Sequence, residues 1–308
     1  MTDRQKGFLL ALTGSAFWGG SGVAAQYLFN YGGMTSEYLV VVRMIIAGIL
    51  LLAIDSFSND VSIWKIWQDK ASRWRLLAFG FVGMLGVQYT YFVAIEYSDA
   101  PTATILQYLM PIIVIAWTAI TTKQLPALKQ VLTACSAIFG TAILVTHGNF
   151  TTLSISTEAL LWGIISAFAA AFYTCQPRWL LMRWPSTQVI GWAMIIGGIG
   201  MGCMYPPLEY PGTVDMMNMF ALGYLIVFGT AAAFWAYVTS TKYIQPSEAS
   251  ILNATEPLTS VIFGVLLLGV VFQLPEIIGS LFIVIPIAMI TGKKKQGLIQ
   301  DKRRKNSD

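Results

Sequence analysis

Apolar stretches of about twenty residues follow one another along nearly the whole chain, and they set the terms for any fold. In lipid, every backbone N–H and C=O must be paired inside the protein, so a stretch of this length has one workable form, a helix that crosses the bilayer. Ten such segments can be read, at 7–29, 36–54, 75–96, 100–121, 128–146, 157–178, 187–206, 218–241, 247–268 and 274–292. The 308 residues are 56% hydrophobic and only 11% charged, whereas soluble domains carry roughly 25% charged residues. The mean hydropathy is +0.65. The expectation is an all-α integral membrane protein of ten transmembrane helices, with no space left for a soluble domain. The first apolar run is too long for the core of a cleaved signal peptide and is followed at once by another span, so it reads as an uncleaved helix. Cys135, Cys175 and Cys203 fall inside spans, where they read as packing residues. Their spacing offers neither a disulfide framework nor a metal site.

The basic residues orient the chain. Of 19 Lys and Arg, 18 lie on one side of a ten-span layout, before segment 1, in the even-numbered loops and after segment 10. Lys and Arg mark cytoplasmic loops, so both termini are expected in the cytoplasm of a cell-membrane protein. The tail Lys293-Lys-Lys295…Lys302-Arg-Arg-Lys305 reads as a topology and lipid-headgroup anchor rather than a nucleic-acid site. Between segments 2 and 3, Ile63-Trp-Lys-Ile-Trp-Gln-Asp-Lys-Ala-Ser-Arg-Trp74 mixes Trp with basic residues, a composition suited to a helix lying in the membrane interface. The outer loops are short, and 206–217 is rich in Pro and Gly.

The chain also reads as one unit written twice. Tyr97-Ser-Asp-Ala-Pro-Thr-Ala-Thr-Ile-Leu-Gln-Tyr-Leu-Met-Pro111 is echoed by Tyr243-Ile-Gln-Pro-Ser-Glu-Ala-Ser-Ile-Leu-Asn-Ala-Thr-Glu-Pro257. Setting Pro111 on Pro257, an offset of 146 residues, aligns Tyr97 with Tyr243, Ala103 with Ala249, Ile105 with Ile251 and Leu106 with Leu252. Upstream it aligns Gly83 with Gly229 and Tyr91 with Tyr237. Ser15-Ala-Phe17 returns as Ser166-Ala-Phe168. Five is odd, so a second five-helix unit enters the membrane inverted relative to the first, an architecture transporters use around a midplane site. The units expected are 1–150 and 151–292, followed by a basic cytoplasmic tail at 293–308.

The Ala-rich turns Ala100-Pro-Thr-Ala-Thr104 and Pro246-Ser-Glu-Ala-Ser250, the mid-helix Pro111 and Pro257, the segment Gln130-Val-Leu-Thr-Ala-Cys-Ser-Ala-Ile-Phe-Gly140 and Arg43 carry a family likeness. In these the chain resembles the EamA-type domain of the drug/metabolite transporter superfamily. The resemblance implies two inverted five-helix repeats and a substrate cavity lined by segments 1, 3, 4, 6, 8 and 9. It also implies transport of amino acids, drugs or metabolites, usually outward. The Leu-Gly-Glu that commonly closes the fourth helix of each repeat in the family is absent: Gln124 and Val270 stand at the glutamate positions.

Glu256 is the sharpest candidate for chemistry. It sits near the middle of segment 9, where a carboxylate costs roughly 2.5–3.5 kcal/mol on insertion scales and normally faces a cavity or a partner. Pro257 lacks an N–H, which leaves a carbonyl unpaired near Asn253, so Asn253, Thr255 and Glu256 form a candidate polar notch. It suits proton coupling or a substrate amine, or else a structural role at the kink. The matching wall of the first unit is Gln107, Tyr108 and Pro111, with neutral Met110 at the position of Glu256. Trp18, Gln88, Tyr91, Tyr173, Trp235 and Tyr237 are candidates to cage an organic cation or stack on a planar substrate. Arg43, about 10 Å into segment 2, suits a substrate carboxylate or a gate with Glu37, Glu96 or Asp99. Its competing reading, a snorkelling arginine that locks packing, is favoured. His147, the one histidine, reads as interfacial.

There is no HExxH, P-loop or Gly-x-Ser-x-Gly motif. The expectation is therefore a secondary transporter rather than an enzyme, without cofactor or metal, exporting a small metabolite such as an amino acid by alternating access. The alternative within transport is a proton-coupled importer of an amine or quaternary ammonium compound. From another class, a membrane-embedded enzyme would need paired polar residues in its spans, and Glu256 stands alone. The partners expected are the substrate and the lipid bilayer, with protons as a coupling ion in one reading.

Overall fold

The first helix opens on a capping box. The Thr2 hydroxyl accepts from the Gln5 amide at 3.3 Å while the Gln5 side chain accepts from the Thr2 amide at 2.9 Å, which pairs two otherwise orphaned donors. From there α1 (Asp3–Asn30) runs 28 residues, about 42 Å at 1.5 Å per residue. The computed structural model describes residues 1–58, 62–123, 125–146, 155–207, 211–245, 248–249, 252–253, 255–275, 277–282 and 284–285. Gln124, His147, Pro246, Ser247, Ser250, Ile251 and the tail 293–308 lie outside the described residues.

After α1 come α2 (Ser36–Ser58), the short α3 (Lys65–Gln68) and α4 (Lys70–Ala78). A π-helical segment, Phe79–Leu85, then leads into α5 (Gly86–Glu96). α6 (Ala100–Gln107) and α7 (Met110–Thr122) are separated by a turn at Tyr108-Leu109, one residue before Pro111 would demand an absent N–H. α8 (Leu128–Thr146), α9 (Thr157–Cys175), α10 (Arg178–Leu181) and α11 (Ser186–Met204) follow. The order closes with α12 (Met216–Ile226), a second π segment at Val227–Ala232, α13 (Ala233–Ser240) and α14 (Thr255–Leu268).

No strand occurs among the described residues. Seven helical stretches are long and apolar enough to cross a membrane: Asp3–Asn30, Ser36–Ser58, Lys70–Glu96, Ala100–Thr121, Thr157–Leu181, Ser186–Met204 and Met216–Ser240. They coincide with the segments read as 1–4 and 6–8. Segments 5 and 9 coincide with α8 and α14, and the described residues of segment 10 from Leu274 onward are helical.

Backbone features recur at the 146-residue offset. The two π segments hold Gly83 and Gly229. The helix break that follows Gln107 recurs at Asn253. Lys123 has φ 54° and its counterpart Gly269 has φ 66°. The Ala103 amide donates to the Asp99 carbonyl at 3.0 Å, and the Ala249 amide to the Gln245 carbonyl at 3.0 Å.

α1 is the hub, touching α5, α6, α12, α13, the second π segment and α14. Its contact with α14 depends on Gly19, where a Cβ would lie 1.9 Å from Thr259 Oγ1 and 2.7 Å from the Glu256 carbonyl oxygen. Between helices in a membrane, where no hydrophobic drive operates, such small residues are what permit close van der Waals packing. α2 and α11 form a second tight pair, in which a Cβ on Gly48 would stand 2.8 Å from the Gly191 carbonyl oxygen. Below that contact the fully buried Asp55 of α2 accepts from the Thr187 hydroxyl and from Gln188 Nε2 at 2.7 Å.

Two sequence expectations shift here. Cys135 and Cys203 are exposed and Cys175 is half-buried, so the first two stand on the outer faces of α8 and α11 rather than in the core. The 63–74 segment has Trp64 and Trp74 exposed, as an interfacial helix requires, yet it also packs inward. The rings of Trp64 and Trp67 lie 4.8 and 5.3 Å from that of Trp192, whose Nε1 donates to the Ile63 carbonyl at 2.8 Å.

Overpacking of this kind typically costs about 1–3 kcal/mol. Gly19→Ala is therefore expected to lower the midpoint of thermal unfolding in detergent, and Thr259→Ala to restore it only in part, because the Glu256 carbonyl still blocks the new methyl. Gly223→Ala, with nothing within 4 Å of the added carbon, should leave the midpoint unchanged or raised.

Candidate functional site

Where the helices of the two halves converge, seven elements line a cavity of about 30 Å³. α1 contributes Trp18 and Ser21, α2 Arg43, α5 Val87, Gln88 and Tyr91, and α6 Gln107; α9 adds Tyr173, α13 Phe234 and α14 Glu256. The break after Gln107 and the break at Asn253 bring non-helical backbone to the same depth. In lipid this is tolerated only where it is buried in protein or lines a cavity.

Glu256 is 3% exposed and its Oε2 accepts from Asn253 Nδ2 at 2.8 Å. Asn253 Oδ1 in turn accepts from Ser15 Oγ at 2.7 Å, while Ser15 Oγ also lies 2.8 Å from the Ala11 carbonyl. A hydroxyl has one proton, so Ser15 serves one of these acceptors at a time. The result is a polar chain from α1 to the carboxylate of α14. The carbonyl expected to be orphaned by Pro257 is not orphaned. The Asn253 oxygen accepts from the Glu256 amide at 2.9 Å, because the turn tightens to a three-residue spacing.

Arg43 departs from the favoured snorkelling reading. It is 3% exposed, its guanidinium lies 4.2 Å over the Phe92 ring, and Nε and Nη1 have no hydrogen-bond partner. The charge sits inside the protein, beside the cavity and against an aromatic face. The ion pair among the described residues is Arg4–Glu248 at 2.8 Å, not one between Arg43 and Glu37, Glu96 or Asp99. Asp99 instead caps α6, accepting from the Thr102 amide at 2.8 Å.

Four aromatic rings form one side of the site. The Trp18 indole lies 4.7 Å from Phe234, 4.9 Å from Tyr237 and 6.1 Å from Tyr173, centroid to centroid. Tyr91 turns its hydroxyl to Thr104 Oγ1 at 2.7 Å. Several buried polar atoms here lack a protein partner: Trp18 Nε1, both ends of the Gln88 amide and Gln107 Nε2. Buried polar groups are rarely left so, and Trp18, Gln88 and Gln107 all line the same hollow.

Of the residues singled out in the sequence, Trp18, Arg43, Gln88, Tyr91, Gln107, Tyr173 and Glu256 line the cavity, with Asn253 bonded to Glu256 and Tyr237 packed on Trp18. Two do not join the lining. Trp235 is 37% exposed, and Tyr108 packs in a separate cluster with Ile105 and Leu106. Phe234 takes the place expected of Trp235. Helical phase holds the signal: residues three apart share a face, so an inward Tyr237 commits Phe234 and turns Trp235 away. Ser21 follows from Trp18 by the same rule.

Comparison with known proteins identifies the family. The profile of the EamA-like transporter family matches the chain twice, over residues 5–146 and 157–292. An uncharacterized inner membrane transporter of Salmonella typhimurium, YicL, is 39% identical over 291 residues, spanning 94% of this chain and 97% of its own. An uncharacterized transporter of Archaeoglobus fulgidus is 23% identical over 94% of this chain and 100% of its own. A solved crystal structure at 18% identity shares the fold, with a TM-score of 0.68 over 93% of this chain and 97% of the other. The chain belongs to the EamA-like transporter family, within the drug/metabolite transporter superfamily. It is a multi-pass membrane transport protein.

Asn253→Ala removes the link between Ser15 and Glu256 and leaves a buried carboxylate without its donor. A loss of about 1–3 kcal/mol is expected, read as a lowered unfolding midpoint in detergent. Trp235→Phe, on an outward face, should stay within about 0.5 kcal/mol of the parent.

Proposed function

We propose that the protein is a secondary transporter that exports a small metabolite such as an amino acid across the cytoplasmic membrane by alternating access. Two inverted five-helix repeats, 1–150 and 151–292, enclose the site, and the basic tail and both termini lie in the cytoplasm. Three observations support the repeat: the double match of the family profile, the paired π segments, and the paired left-handed residues at an offset of 146. The concentration of Lys and Arg on one side supports the orientation.

The observation that carries the reading is the cavity itself, where Arg43 and Glu256 present opposite charges with no ion pair between them among the described residues. An α-amino acid supplies a carboxylate for the guanidinium and an ammonium for the glutamate. The aromatic wall and the unpartnered amides serve its remaining groups. About 30 Å³ accommodates two or three waters at roughly 10–15 Å³ each, too little for an amino acid, so the substrate enters when the two halves separate at one face.

A second reading draws on the aromatic wall. Trp18, Tyr173, Phe234 and Tyr237 beside a carboxylate also suit an amine or quaternary ammonium ion, taken up against protons exchanged at Glu256.

Flux into and out of proteoliposomes, screened over amino acids and organic cations with and without a pH gradient, separates these readings. Amino-acid flux that is lost in both Arg43→Gln and Glu256→Gln supports the exporter. Cation flux driven by the gradient, lost only in Glu256→Gln, supports the importer. If both variants transport like the parent and respond to pH as it does, neither residue belongs to the site.

A further inference from the structure

Outside the central site the protein has a much larger hollow, about 730 Å³, between the π segment and α5, α7 and α9. Its walls are apolar, with Val82, Ile113, Trp117, Ile165 and Phe168 among the lining residues, and all but Ile113 are exposed. It runs from Arg75 to Thr90 along one helical stretch, about 22 Å at 1.5 Å per residue. That is about half of a bilayer roughly 40–45 Å thick with its headgroup layers, so a groove that starts at headgroup depth spans about one leaflet.

Arg75 charges one end of the groove, and Arg183, outside the lining, adjoins it through Trp179. The Arg75 guanidinium lies 4.3 Å from the centroid of Trp179, and the Arg183 guanidinium lies 3.8 Å from the same indole. Two cations therefore share one ring, and neither belongs to an ion pair among the described residues. The carboxylate in electrostatic reach of Arg183, Asp69, is occupied as the cap of α4. It accepts from the Ser72 hydroxyl at 2.5 Å and from the Ser72 amide at 2.9 Å, and these bonds hold its carboxyl below the usual range. Like charges that share one ring repel, and a phosphate that reaches both guanidiniums offsets the repulsion through the paired donors that arginine offers. The exposed Trp74 beside Arg75 sets this end at headgroup depth.

We propose that this groove binds an anionic glycerophospholipid of the leaflet on the basic side, its phosphate between Arg75 and Arg183 and one acyl chain along the apolar walls. Charge sets it apart from ordinary lipid contact, since a boundary lipid needs no pair of guanidiniums. It is independent of the substrate reading above, because the two hollows share no lining residue.

Native mass spectrometry of the full chain in detergent, equilibrated with equal phosphatidylglycerol and phosphatidylcholine, tests it. The expected result is preferential retention of phosphatidylglycerol, reduced on the order of ten-fold in the double variant Arg75→Gln, Arg183→Gln. Gly86→Leu, whose new Cβ meets Ala169 Cβ at an ordinary 3.6 Å, fills the groove and should cut retention of both lipids. Equal retention of the two lipids by the parent overturns the proposal, as does unchanged selectivity in the double variant. Displacement of phosphatidylglycerol by millimolar glycerol phosphate would also overturn it, by showing a soluble phosphate site instead of a lipid one.

Discussion

The site hangs on the close approach of α1 to α14 at Gly19. Gly19 of α1 lies so near α14 that its missing side chain leaves space for the carbonyl of Glu256. In lipid, two helices gain little from merely touching, since acyl chains solvate apolar surface as well as another helix does. Approach this close instead gains dispersion contacts along the seam and lets short side chains bridge it. Ser15 reaches Asn253 only because the helices meet at this distance, and Asn253 then fixes the orientation of the Glu256 carboxylate. The position of the one charged group on α14 thus follows from a hydrogen atom on α1.

Much of this was legible in the sequence, for identifiable reasons. A helix in lipid must pair its own backbone, so length and apolarity alone located the segments that became α1, α2, α5, α9, α11 and the α12–α13 stretch. The buried charge at Glu256 and the amides Gln88 and Gln107 stood out because polar atoms are scarce in such segments. What the sequence withheld was azimuth. A helix that is apolar all round gives no periodicity by which to choose a face, so the sequence does not show that Trp235 is exposed and that Tyr108 packs with Ile105 and Leu106. The direction of Arg43 is hidden for a related reason. Depth along a helix can be counted, but whether a long side chain climbs to the interface or bends inward depends on neighbours such as Phe92, supplied by a different segment.

The two halves are alike in backbone and unlike in charge. Both have a π segment with a glycine, and the helix break that follows Gln107 in the first half recurs at Asn253 in the second. Yet Glu256 faces the cavity from the second half while Met110 holds its place in the first, and Arg43 lines the hollow from α2. A scaffold with near-equivalent halves moves between its states at small energetic difference, whereas chemistry confined to unlike positions on the two sides gives a guest one preferred orientation.

The paired left-handed residues show how one backbone shape can carry different freight. Gly269 adopts φ 66° without steric conflict, whereas Lys123 at φ 54° crowds its own Cβ, at a cost of roughly 1–2 kcal/mol for an L-residue. Lys123 closes α7, where the negative end of the helix dipole attracts a cation. The first half thereby trades local comfort for a positive charge at a helix terminus and the second makes the opposite bargain, so one backbone shape ends in a cation in one half and in a bare turn in the other.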